Sequence, residues 1–191
     1  MKNILMLGTS KGSKEIVLEA KNRGYHTIVT DFLEPIESKA KLVSDEYWMV
    51  STSEIDTLEN LCREKKIDGI CNGISPFNIL VTMELTKRLK MPCYCNPDSW
   101  HYTMDKRDFN DACIKNNVPV PKDYYLSEKI SKEDLDAIQY PVVVKAVDQS
   151  ANRGMSYCFS SDEMDEAVKK ARAVSKHKTV VVEKMLRGHE Y

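Results

Sequence analysis

The first half of the chain alternates short apolar runs with stretches in which apolar residues recur at helical spacing. Runs at 3–7, 26–30, 46–50 and 68–71 predict strands, and the stretches at 54–64 and 76–89 predict helices. Strands that alternate with helices are typical of βαβ units around a parallel sheet. The pattern therefore predicts an α/β domain with a doubly wound parallel sheet over residues 1–97.

The pattern changes after Pro97, where a polar helical segment begins. We assign residues 98–125 to this linking segment and residues 126–191 to a second folded unit. Apolar, β-rich runs lie at 124–126, 142–147, 155–159 and 179–183, and residues 161–174 carry apolar positions at helical spacing. The second unit is therefore predicted to be α+β, with an antiparallel sheet.

Composition and charge exclude whole classes of function. The 28 Lys and Arg residues nearly balance the 29 Asp and Glu residues, so the net charge of -1 gives no basis for binding nucleic acid. No apolar run approaches the roughly 20 residues needed to cross a bilayer. The apolar stretch at the N-terminus is too short for the core of a secretory signal. We therefore expect a cytoplasmic protein with no membrane partner.

The cysteines and histidines predict neither disulfides nor a metal site. A chain of 191 residues without a signal core is expected to keep its six cysteines reduced. There is no C-x-x-C pair, and the four histidines lie far apart in the sequence. No residue of this chain is assigned to a metal.

A glycine-containing loop follows the first predicted strand. Three residues separate Gly8 from Gly12, and Ser13 precedes Lys14, so the loop matches neither the dinucleotide fingerprint nor the P-loop. Asp31 nevertheless stands at the end of the second predicted strand, where a ribose-binding acid would lie. Two interpretations stay open: an ordinary βα turn with a surface or capping Asp, or a nicotinamide-nucleotide site.

The second unit carries a sharper feature, a lysine at the end of a buried apolar run. Lys145 ends the segment that begins at Pro141, and a buried ammonium needs an anionic partner. Residues 148–154 follow at once, small and polar, and Gly154 can adopt dihedrals closed to other residues. This loop can fold over a phosphate, although an edge lysine beside a hairpin turn would give the same pattern.

A third segment, from Glu183 to Glu190, places two carboxylates around a short apolar stretch and a glycine. Backbone groups of such a connector can bind the edge of an adenine, and carboxylates can accept hydrogen bonds from an amine and from ribose hydroxyls. The alternative is a solvated Glu-Lys pair at a strand end.

In this order the three features resemble the ATP-grasp superfamily. The resemblance implies a Rossmann-like pre-ATP-grasp domain, a linking helix and a nucleotide-binding lobe, with ATP as the cofactor. The Met104–Arg107 segment before Val-Pro-Val-Pro at 118–121 implies that Lys106 contacts phosphate, and Lys145 matches the second phosphate-binding lysine of the family. Residues 148–154 match its mobile loop, in which Arg153 adds positive charge beside Gly154, although the loop carries fewer glycines than in many relatives.

The resemblance also implies roles for the third segment. Glu183 would face the adenine amine, Lys184, Met185 and Leu186 would supply the hinge backbone, and Glu190 would hold the ribose hydroxyls. Family members bind Mg²⁺ through residues of a further half, which we expect to follow Tyr191 in a longer parent protein. We therefore expect these 191 residues alone to be inactive.

The resemblance finally implies a class of reaction. The parent is expected to be a ligase that activates a carboxylate as an acyl phosphate with ATP and Mg²⁺, for attack by an amine or a similar nucleophile. Its partners would be a small carboxylate and a small amine, with loops such as 8–12 and 72–75 near the acceptor, and a homodimer is possible. The alternatives are a nicotinamide- or nucleotide-binding module and a non-catalytic ATP-binding regulatory protein.

Overall fold

The computed structural model describes residues 1–126 and 130–189. The chain forms two compact units, one from Met1 to Pro97 and one from Asp98 onward, and each is described by itself. In the described part of the chain, no helix has the length and apolarity that a membrane crossing requires. All six cysteines lie in this part and are unpaired.

The first unit is built on a four-stranded parallel sheet in the order β3-β2-β1-β4. Its strands are β1 Asn3–Leu7, β2 His26–Thr30, β3 Glu46–Trp48 and β4 Ile67–Asn72, and its helices are α1 Ser13–Asn22, α2 Ile55–Glu64 and α3 Pro76–Leu89. A 3-10 turn occupies Pro35–Glu37. The predicted parallel α/β architecture is confirmed.

Helices cover both faces of this sheet, which explains why β1 is apolar at every position from Ile4 to Leu7. Successive strand residues point to opposite faces. Leu5 and Leu7 therefore belong to the core cluster that includes Leu58 of α2, whereas Met6 belongs to the cluster that includes Val17 of α1.

The second unit carries a three-stranded antiparallel sheet in the order β6-β5-β7, as predicted. Its strands are β5 Val142–Ala146, β6 Ser156–Cys158 and β7 Val180–Lys184, and its helices are α4 Pro97–Met104, α5 Lys106–Lys115, α6 Lys132–Asp136 and α7 Met164–Val174. The first residue of α4, Pro97, belongs to the first unit.

Alternation along β5 separates the core of the second unit from its polar face. Val142 and Val144 are fully buried and join the core cluster that contains Ala167 and Ala171 of α7. Lys145, between buried neighbours, projects from the opposite face. The strand thus places one charged side chain on a polar surface while its other face forms the core.

The strand predicted at 124–126 is wrong. This segment makes one isolated antiparallel bridge, between Asp123 and Glu183, with the Tyr124 N–H donating to the Val182 carbonyl at 2.8 Å. Pro119 and Pro121 just before it have no N–H to donate, so a longer ladder cannot form on that side. The strands predicted at 3–7 and 26–30 have the observed ends, and the ends of the others differ from the observed ones by at most two residues.

Candidate functional site

Helix α5 places Lys106 at the start of its first turn. Asp105 caps the helix, because its carboxylate accepts hydrogen bonds from the backbone N–H of Arg107 at 2.8 Å and of Asp108 at 3.1 Å. These hydrogen bonds satisfy two backbone donors of the first turn, in which Lys106 lies.

The Lys106 ammonium is bound to the end of β5. Its Nζ donates to the carbonyl oxygens of Ala146 at 2.9 Å, Val147 at 3.3 Å and Gln149 at 2.5 Å. Burial lowers the pKa of Lys106, and the nearby charge of Lys145 lowers it further. The positive charges of Lys106 and Lys145 therefore repel each other.

Lys145 has the anionic partner that its position predicted. Its ammonium forms an ion pair with Glu183 Oε2, and the other carboxylate oxygen, Oε1, accepts a hydrogen bond from Asn110 Nδ2 at 3.2 Å. The Glu183 side chain is 8% exposed and that of Lys145 25% exposed. Both oxygens of Glu183 are thus engaged within the second unit.

The structure brings three predicted residues, Lys106, Lys145 and Arg153, around one cavity of about 170 Å³. They come from three separate segments: the start of α5, the end of β5 and the loop that follows it. The remaining lining residues are the neighbouring loop and strand positions Ala146, Gln149, Ser150, Ala151, Asn152 and Met155. Three cationic side chains around a small cavity can bind phosphate oxygens.

The loop over this cavity is held at its base. Asp148 accepts hydrogen bonds from the backbone N–H of Lys176 at 2.8 Å and of His177 at 3.3 Å. Further along, Ala151 and Asn152 adopt positive φ of 54° and 58°. Both residues adopt left-handed conformations, which glycine adopts without strain. The loop therefore reaches these conformations although it contains a single glycine.

Gly154 does not line the cavity. It is buried with φ of +73°, and a Cβ at this position would overlap Val174 and lie 3.2 Å from Ala171 Cα. The structure therefore places this glycine in the contact between the loop and α7, and its predicted role at a phosphate stays a prediction.

The predicted hinge begins at Lys184, the last residue of β7. Lys184 donates from Nζ to the carbonyls of Gln139 at 2.8 Å and Tyr140 at 3.1 Å, and the Met185 N–H donates to the Pro141 carbonyl at 3.1 Å. Leu186 is 71% exposed. These three residues do not line the cavity, and Glu190, the predicted ribose ligand, lies outside the described residues.

Sequence reasoning missed three polar residues of this region. Asn110, one helical turn after Lys106, is the hydrogen-bond donor to Glu183. Arg107 Nε lies 3.9 Å from the buried Asp123 carboxylate, whose pKa burial raises. The helical spacing of 106 and 110 was the available signal, but it did not reveal a partner 73 residues away.

The described residues contain no preformed cluster of metal ligands. Among residues 1–126 and 130–189 there is no group of three or more His, Cys, Asp or Glu side chains that could hold a metal ion. The three cationic side chains of the cavity suit phosphate.

The first unit has a crevice of its own, at the carboxyl ends of its strands, where parallel sheets commonly bind ligands. Its cavity of about 470 Å³ is lined by Gly8, Thr9, Ser10, Asp31, Phe32, Leu33, Ser51, Thr52, Ser53, Ser75, Phe77 and Asn78. Asp31 is paired with Lys41 at 2.8 Å and accepts the Leu33 N–H at 2.9 Å. Both contacts use Oδ1, and Oδ2 is buried with no hydrogen-bond partner among the described residues, so the ribose-binding interpretation stays a prediction.

Comparison with known proteins gives a family match within the second unit. Residues 115–191 match the family model described as the D-ala D-ala ligase C-terminus. Over 189 residues the chain is 26% identical to a formate-dependent phosphoribosylglycinamide formyltransferase from Prochlorococcus marinus (strain AS9601), covering 97% of this chain and 48% of that protein. These two matches support the resemblance to the ATP-grasp superfamily.

Solved structures of other proteins share the fold of this chain. A biotin carboxylase from Campylobacter jejuni, solved with a β-γ-ATP ligand, superposes with a TM-score of 0.81 at 17% identity over 97% of this chain and 45% of its own. The biotin carboxylase domain dimer of the Hydrogenobacter thermophilus 2-oxoglutarate carboxylase, solved with MgADP, ADP and bicarbonate, gives 0.74 at 20% identity over 97% and 44%. The chain thus spans about half the length of these proteins.

Proposed function

We propose that this chain is the ATP-binding portion of a ligase that activates a carboxylate as an acyl phosphate for attack by an amine or a similar nucleophile. The observation that carries the proposal is the convergence of Lys106, Lys145 and Arg153 on one cavity. Phosphoryl transfer depends mainly on positioning and on neutralising charge, and these side chains supply positive charge where phosphate oxygens would lie.

The size of the cavity indicates which part of the nucleotide it would hold. Sites that enclose a drug-sized ligand have volumes of about 300 to 1,000 Å³. At about 170 Å³ the cavity suits phosphate groups only. The base and ribose would lie outside it, and the resemblance assigns them to the hinge that begins at Lys184 and to Glu190.

The rest of the reaction is expected to need residues that this chain does not supply. In the ATP-grasp resemblance, the Mg²⁺ ligands and the arginine near the acyl phosphate lie in the half of the relatives that the chain does not match. When bound, Mg²⁺ would neutralise charge on the transferred phosphoryl group. The carboxylate or amine substrate is proposed to contact the crevice of the first unit, near Gly8 and Asn78.

Calorimetric titration with a non-hydrolysable ATP analogue and Mg²⁺, beside NAD, tests the proposal. We expect binding of the ATP analogue and none of NAD. Lys106→Ala and Lys145→Ala should each weaken binding by roughly tenfold or more, because a hydrogen bond to a charged group contributes about 1.5 to 3 kcal/mol.

The matched control is Lys169→Ala, which removes an exposed lysine from α7 and should leave the affinity unchanged. Binding of NAD but not of the ATP analogue would move the function to the first unit. Unchanged affinity in both lysine variants would contradict the assignment of the cavity.

Assembly and location stay predictions. The Hydrogenobacter neighbour is described as a dimer, and we propose that the parent of this chain forms a homodimer in the cytoplasm. Sedimentation equilibrium at increasing protein concentration would measure the oligomeric state.

A further inference from the structure

The contact between Glu183 and Lys145 conflicts with placing the two residues at opposite ends of ATP. The resemblance assigns Glu183 to the adenine amine and Lys145 to a phosphate. In the structure they form one ion pair on the same face of the β5–β7 ladder, where Val143 pairs with Glu183 and Lys145 with Val181. The Glu183 carboxylate therefore lies at the phosphate end of the proposed site, beside Lys145.

Glu183 is poorly placed to read an amine. Its Oε2 is paired with Lys145 and its Oε1 accepts the Asn110 amide, and only 8% of its side chain is exposed. It is absent from the lining of the cavity that Lys145 lines. An exocyclic amine would have to displace one of two existing partners at a buried position, which leaves a buried polar group unpaired.

The charges around the cavity give Glu183 a different task. Three positive charges lie around a small cavity, those of Lys106, Lys145 and Arg153. Charges of the same sign at such short separations repel one another. Glu183 neutralises one of them when no ligand is present. A phosphate that reaches Lys145 meets this carboxylate as a competitor for the same ammonium.

We infer that Glu183 is an internal counter-ion of Lys145, held in place by Asn110, and that it competes with phosphate instead of reading the adenine amine. Asn110 is then a positioning residue, since it acts on the cavity through Glu183. This inference rests on the proposed nucleotide site and assigns its carboxylate a role in setting the affinity for polyphosphates.

The test compares ADP, IDP and pyrophosphate on the wild-type chain and on Glu183→Gln by calorimetry. IDP has an oxygen where ADP has the exocyclic amine, and pyrophosphate has no base. Removing the counter-ion should tighten all three by the same factor, roughly threefold to tenfold, because one negative charge near the anion is lost. The ratio of ADP to IDP affinity should not change.

A second variant guards against loss of folding in the first. Asn110→Ala removes the donor that holds Glu183 and should shift all three affinities in the same direction, by a smaller factor. Glu166→Gln, which removes an exposed carboxylate from α7, is the matched control for net charge and should shift none. Far-ultraviolet circular dichroism and the melting temperature establish that each variant is folded.

The opposite results separate this inference from the proposed function. Weaker ADP binding by Glu183→Gln with unchanged IDP and pyrophosphate would show that Glu183 reads the amine, and would overturn the inference while supporting the nucleotide site. Wild-type protein that binds pyrophosphate but neither nucleotide would defeat the proposed function, and the pyrophosphate affinities would still decide the counter-ion role. Pyrophosphate binding that is no tighter in Glu183→Gln overturns the inference in every case.

Discussion

The two units each contain a lysine paired with a buried carboxylate, and the surroundings of the two lysines differ. Lys41 is enclosed: its side chain is 0% exposed, and besides Asp31 Oδ1 its ammonium donates to the carbonyls of Asp31 at 2.9 Å and Leu33 at 2.5 Å. Lys145 is 25% exposed and lines a cavity beside its partner Glu183. An ammonium that is enclosed and hidden from solvent stabilises the fold, whereas one that lines a cavity can bind a ligand.

This contrast separates structural charge from functional charge without reference to any relative. The Lys41 pair closes a loop after β2, where all of its donors are used. The Lys145 pair leaves donors directed to a cavity that two further cations share. We therefore expect substitutions at the two lysines to change different quantities, stability in one case and anion affinity in the other.

Lys41→Met should have the largest effect on stability. It leaves the Asp31 carboxylate buried without its counter-ion, and breaking a buried pair in this way costs about 3 to 5 kcal/mol. Urea denaturation of the variant should show a correspondingly lower free energy of unfolding. Lys39→Met, an exposed neighbour, is the control and should change it by less than about 0.5 kcal/mol. A Lys41→Met protein as stable as the wild type would show that the Lys41 pair does not stabilise the fold, and would contradict the contrast with Lys145.

The loop glycines allow a similar contrast between a packed and an open position. Gly154→Ala should destabilise the chain by roughly 2 to 4 kcal/mol, because the added Cβ overlaps Val174 and the backbone stays left-handed. Gly12→Ala at φ of +88° has no atom within 4 Å of its added Cβ, so only the backbone term of about 1 to 2 kcal/mol applies. Equal losses in thermal denaturation would mean that the contact with α7 is unimportant.

The smallest expected effect concerns pH. Because burial lowers the pKa of Lys106, this ammonium loses its proton at a lower pH than an ordinary lysine. Affinity for the ATP analogue should fall by roughly two- to fivefold as pH rises through that lowered value, since two other cations remain. Lys106→Arg keeps its charge and should hold its affinity over the same range. A steeper loss in the arginine variant would contradict this explanation.

The same lowered pKa has a defined sign for stability. The folded state disfavours the protonated form of Lys106, so this group destabilises the chain below its folded pKa. The loss is relieved as pH rises from that value to the ordinary lysine pKa. Stability and anion affinity should therefore move in opposite directions with pH in this window.

Local pattern predicted much of this molecule, and contacts distant in sequence account for what it missed. The runs at 3–7 and 142–147 needed only hydrophobic spacing, and the polar loop after Lys145 was visible as small residues beside a buried strand. The pairing of Asn110 with Glu183 was not predictable, because it joins residues 73 positions apart across two elements. Lys41 gave no signal in a polar stretch, although it is fully buried.

A crystal structure of the chain with a non-hydrolysable ATP analogue tests the central claim most directly. The account predicts phosphate oxygens within hydrogen-bonding distance of Lys106 Nζ, Lys145 Nζ and the Arg153 guanidinium in the second unit. Nucleotide bound instead in the crevice of the first unit, beside Gly8 and Asp31, would contradict it.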